Sequence, residues 1–187
     1  MQDGIWLNSI DITNGPAAHR GTYVGTTRSE ADSTIAWSRG SSAAGGGAAK
    51  LNVWNMYNRV TISAIVIDST SAWSVIVVSP RPVNNSNNNR VSFVDGMAEN
   101  SVQATARATA TGIGTGTNGC SGVALDSTTV FDAQTYVLTA STVGIADLTL
   151  TTHTAYAPQL GFHFIQALEF TDSKIITFTG GGARRGL

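Results

Sequence analysis

Three histidines, His19, His153 and His163, are the residues of this chain best suited to hold a metal or move a proton. On an extended strand His163 shares a face with Glu169, but six residues separate the two by roughly 20 Å. His153 falls on the preceding predicted strand, where a hairpin would bring it toward His163, and that pair is the one ligand cluster the spacing offers. The simpler expectation for each is an imidazole bonded to a backbone carbonyl or a threonine hydroxyl. Gly112-Ile113-Gly114-Thr115-Gly116 echoes a phosphate-cradling loop. A dinucleotide site, however, needs a helix next and an acid about 20 positions on. The chain instead continues Thr117-Asn118-Gly119-Cys120, so Gly112 to Gly122 reads as a flexible bend with Cys120 an inert thiol inside it. There is no Gly-x-Ser-x-Gly elbow, and 12 scattered acids single out no glycosidase pair. Trp6, Trp37, Trp54 and Trp73, with Tyr23 and Tyr57, have the faces to stack on sugars, yet large aromatics at strand positions are expected in a core. The expectation is therefore a protein that is not an enzyme, with no catalytic, cofactor-binding or metal residues.

Composition explains why the chemistry is thin. Charged residues make up 12% of the chain, about half the usual share. Ser, Thr, Ala, Asn and 20 Gly take their place around short β-branched runs. A net charge of -1 gives no pull toward phosphate backbones or anionic lipid, so neither a nucleic-acid partner nor membrane insertion is expected. No apolar stretch approaches the ~20 residues that cross a bilayer. A single cysteine excludes an intrachain disulfide framework. The opening Met-Gln-Asp-Gly-Ile-Trp lacks a basic then apolar pattern, which predicts no signal peptide and synthesis in the cytoplasm.

The elements that would position any site read as strands. Candidates are Thr22 to Thr27, Ser33 to Ser38, Leu51 to Asn58, Val91 to Val94, Val123 to Leu125, Tyr136 to Ala140, Leu148 to Tyr156, His163 to Phe170 and Ile175 to Thr179. Val60 to Ile67 and Trp73 to Val78 read as a central hairpin buried on both faces, joined by an Asp68-Ser69-Thr70-Ser71 turn. Met97 to Thr109 fits strand better than helix through its Thr, Ser and Ala alternation. Asn84 to Asn89 reads as a polar surface loop. Turn signals every 8 to 12 residues or so favour an all-β, jelly-roll-like β-sandwich. A short N-terminal arm over residues 1–20 would precede a sandwich domain over residues 21–187.

Three blocks carry a likeness. They are Met1-Gln2-Asp3-Gly4-Ile5-Trp6-Leu7 with Ile12-Thr13-Asn14-Gly15-Pro16, then Leu51-Asn52-Val53-Trp54-Asn55-Met56-Tyr57-Asn58-Arg59-Val60, and Leu160-Gly161-Phe162-His163-Phe164-Ile165-Gln166-Ala167-Leu168-Glu169-Phe170. Together they resemble small virion structural proteins of tailed bacteriophages, and the last block is similar to the closing strands of phage trimeric jelly-roll heads. The resemblance implies a virion location, without fixing a position within the virion. The expected role is a homotrimeric decoration of the capsid exterior or short head fibre, held to the major capsid protein or other virion proteins. The resemblance transfers no functional residues. On that reading the arm, Met1 to Arg20, is expected to be the anchor to the particle, since its Ile5, Trp6, Leu7 and Ile10 are too few for a core of their own. Trp54 and Tyr57 lie on a strand with large residues on both faces, the pattern expected of an interface between subunits. The rival expectation is a tail-fibre or receptor-binding module that recognises a host surface glycan through Asn84 to Asn89; an enzyme acting on surface polysaccharide comes third.

Overall fold

The computed structural model describes residues 7–30, 34–57, 59–113, 118–138, 145–172 and 174–180. Fifteen strands run in order along these residues: β1 (Gly25–Thr27), β2 (Trp37–Ser38), β3 (Ser42–Ala43), β4 (Ala49–Leu51), β5 (Val53–Asn55), β6 (Ile67–Asp68), β7 (Trp73–Val75), β8 (Arg81–Pro82), β9 (Arg90–Asp95), β10 (Val102–Ile113), β11 (Asn118–Leu125), β12 (Ala133–Leu138), β13 (Ile145–Tyr156), β14 (Gly161–Thr171) and β15 (Ile176–Thr179). The fold is all-β. Among the described residues the only helical element is a 3-10 turn at Val83–Asn85, and no helix is long and apolar enough to cross a membrane.

Two sheets make the sandwich. The larger has the order β12-β11-β14-β9-β4-β2, with β8 added beside β14, and the smaller has the order β13-β10-β15-β7. Two short ladders, β1 with β5 and β3 with β6, lie outside them. Strand β10 earns its place through the period of two. Its Ala104, Ala106 and Ala110 join the core, while Gln103, Thr105 and Arg107 face solvent. The core has two centres. Val75, Ala110, Val137, Leu150, Ile176 and Phe178 form one, and Phe93, Ala104, Val123 and Ile165 form the other. Between the sheets the Thr152 hydroxyl donates to the Ser121 carbonyl at 2.9 Å, satisfying a buried polar pair.

Several expectations fail here, each for a physical reason. The buried hairpin is absent: Val60 to Val66 joins no ladder and is largely exposed, and β7 pairs instead with β15. Leu51 to Asn58 is not one strand. The fully buried Asn52 separates β4, in the large sheet, from β5, which pairs with β1. Gly112 to Gly122 is mostly strand, since β10 runs to Ile113 and β11 begins at Asn118, while Gly114 to Thr117 lie outside the described residues. The glycines of β11 mark close approach. A Cβ on Gly119 would meet Ile176, and one on Gly122 the Ala133 carbonyl. Cys120 accordingly lies buried within a strand rather than in a turn.

Candidate interaction surface

The chemically equipped side chains are spent on structure. His153 and His163 do not meet: β13 pairs with β10, and β14 belongs to the other sheet. His153 Nδ1 bonds the Thr105 hydroxyl at 2.9 Å, and His163 Nε2 bonds the Leu160 carbonyl at 3.0 Å, which are the two partner types expected of ordinary imidazoles. His163 Nδ1 also bonds Asp126 Oδ2 at 2.6 Å. Burial pulls the His163 pKa down, but Asp126 and the Leu160 carbonyl outweigh it and the net shift is upward. Both ring nitrogens face acceptors, an arrangement that suits the doubly protonated ring.

Glu169, fully buried, accepts from Trp73 Nε1 at 2.7 Å, Arg81 Nη2 at 2.9 Å and the Asn84 backbone N–H at 3.1 Å. Burial pushes its pKa up against those three donors. Asp68 accepts from the side-chain amides of Asn84 and Asn89, both at 3.0 Å, and from the Gly45 and Thr70 N–H groups. Burial raises the Asp68 pKa, but these bonds prevail and lower it. The polar loop is thus half internal. Asn89 is buried and the Asn84 amide points inward, leaving Asn85, Asn87 and Asn88 exposed. Burial pushes the Cys120 thiol up to about 12, which makes it inert. Among the described residues no group of three or more His, Cys, Asp or Glu converges.

The conspicuous remainder is apolar and exposed. Strand β13 covers one edge of β10 along its length, whereas β15 covers the other edge only at Thr109 to Thr111. The second edge is therefore open from Val102 to Ala108. Facing it across a cleft of about 1640 Å³ lies the segment Val60 to Val66, with Phe93, Val123 and Ile165 of the core lining the same space. Val60 is 64% exposed, Ile62 43% and Ile65 64%, and Trp37 and Val53 at the mouth are exposed too. The Ile65 N–H donates to the Arg39 carbonyl at 2.8 Å and Arg39 Nε to the Ser63 carbonyl at 2.6 Å.

The interface residues expected from sequence divide. Ile5 and Trp6 lie outside the described residues. Leu7 bridges to Thr22 and, with Ile12, Tyr23, Met97 and Leu160, lines a smaller cavity of about 700 Å³ between the arm and the sandwich. Ile10 is 73% exposed. Trp54 is half-buried, stacked on Tyr23 at 5.8 Å and lining the large cleft, whereas Tyr57 stands out in solvent. The aromatics make no single platform, since Trp73 stacks on Phe178 in the core. Sequence reasoning missed Val60, Ile62 and Ile65 as surface because an uncharged run rich in β-branched residues carries no mark of whether a ladder partner exists. The molecule defined by this fold and surface is an all-β sandwich with a cleft of mixed polar and apolar lining, beside which several large apolar side chains are exposed. Comparison with protein-family models, curated proteins and solved structures finds no significant match.

Proposed function

We propose that this protein is a virion structural subunit of a tailed bacteriophage, a jelly-roll-like homotrimer that decorates the capsid exterior or forms a short head fibre. The carrying observation is the apolar surface around the cleft, where Trp37, Val53, Val60, Ile62 and Ile65 are all exposed. Large apolar side chains exposed together around one cleft suit coverage by a partner. Neighbouring copies meet little electrostatic resistance at a net charge of -1. Function then arises from buried contact area of about 1,000 Å² or more, with no bond made or broken.

Sedimentation velocity tests this directly. The full chain should sediment at about three times 19.4 kDa, bind particles stripped of it, and fall to a monomer on Trp37→Lys with Ile62→Lys. A chain that stays monomeric and ignores such particles refutes the proposal. Binding to host cells but not to capsids would favour the receptor-binding alternative, for which the exposed Asn85, Asn87 and Asn88 are the available glycan contacts.

A further inference from the structure

We propose that Val60 to Val66 is a strap that closes onto the open edge of β10, adding the strand that the small sheet lacks and shutting the cleft. Anchors at both ends already align it. Arg59 is held to Glu99 at 2.7 Å and to Asn100 at 3.1 Å, just before β10 begins at Val102. Beyond the other end, the Thr70 carbonyl accepts from the Gly180 N–H at 3.1 Å. Gly180 comes directly after Thr179, which pairs with Thr109, where the open edge stops. The segment therefore runs beside the edge in the direction of β10, start to start and end to end. Residues 60–66 and 102–108 are equal in number, so at the rise of a strand their lengths match.

Side chains agree with the backbone. Val-Thr-Ile-Ser-Ala-Ile-Val is a strand-forming sequence. The small side chains of Ala104, Ala106 and Ala108 leave room that valine and isoleucine from the strap would fill. Left open, the same edge offers unpaired backbone groups beside wetted apolar side chains, a template that folded proteins normally cover. On the virion reading, closure and assembly compete for the same residues: the shut strap hides Ile62 in the free subunit, and the open one presents it. That competition rests on the proposed function. The strap itself does not.

Setting Val60 opposite Val102 places Ala64 opposite Ala106, so Ala64→Cys with Ala106→Cys tests closure. In a glutathione redox buffer the double variant should form an intrachain disulfide in most molecules, seen as a faster monomer band without reductant, and neither single variant should. Buried Cys120 stays out of the exchange. Hydrogen exchange on the unmodified chain gives a second readout. Amides of Thr61 to Ala64, which donate to no backbone carbonyl among the described residues, should exchange at least tenfold slower than in an unstructured chain. Disulfides between chains would assign the edge to a second copy and overturn the strap. If the pair does not link, exchange decides: slow amides sustain the strap in another register, and coil-like rates end it. A monomer that still links keeps the strap and removes the assembly reading, whereas an oligomer that neither links nor protects does the reverse.

Discussion

Glu169 and His163 stand on one strand, β14, and hold two different parts of the molecule in place. Glu169 ties β7 through Trp73 and the start of the polar loop through Arg81 and Asn84. Replacing it with alanine strands a guanidinium, an indole N–H and a backbone N–H, and loss of one partner of a buried pair costs about 3–5 kcal/mol. Arg81 retains some solvent contact, which places Glu169→Ala near the lower figure, measurable by urea unfolding. His163 works through charge. Its folded pKa lies above the ordinary 6.5, so the stabilisation it adds is whole below that value and is lost as pH rises through the folded pKa. The stability gap between the natural chain and His163→Gln should therefore be widest under mildly acidic conditions and narrow on the alkaline side. With Asp126 partly in water, a gap of about 1 kcal/mol or less is expected. Equal gaps at pH 5.5 and 9 would contradict this assignment.

At the scale of elements, β11 depends on having no side chain where it crosses its neighbours. A methyl group on Gly122 would strike the Ala133 carbonyl, a backbone atom that cannot swing aside. Gly122→Ala should therefore cost about 1–3 kcal/mol, lowering the melting temperature by roughly 2–4 °C for each kcal/mol in a domain of this size. Calorimetry against Gly161→Ala separates space from backbone conformation, because Gly161 has open surroundings but a positive φ of 105°. The glycines of β11 also show why part of the fold was illegible. Gly119 and Gly122 look like turn residues when read along the chain, and only the packing of β12 and β15 reveals their purpose. Strands β10, β13 and β14 were readable because alternation survives without knowledge of neighbours. Val60 to Ile67 was misplaced because burial belongs to a pair of elements, and no pattern within one names its partner.

For the whole molecule, the sandwich is closed on one flank and open on the other. On the closed flank Thr152 reaches both the Ser121 carbonyl and the Thr135 hydroxyl, and the Thr135 hydroxyl donates to the Thr151 carbonyl, joining β12 of one sheet to β13 of the other. On the open flank the Ala row of β10 faces the cleft. The candidate surface was half visible in the sequence. Trp54, expected at an interface, does line the cleft, although the single strand on which that expectation stood is split at Asn52. The residues that dominate the cleft mouth were assigned inside. Low charge sets an expectation of contact over catalysis, but composition has no direction and names neither flank.

The inward turn of the Asn84 amide has one more consequence. Asn84-Asn85-Ser86 spells an acceptor motif for N-linked sugar, yet the nitrogen to which the saccharide would attach is donating to Asp68 and Thr70. An oligosaccharide on Asn84 is therefore incompatible with the native loop. Production in a eukaryotic secretory host would select between an unglycosylated folded chain and a glycosylated one that cannot seat its asparagine.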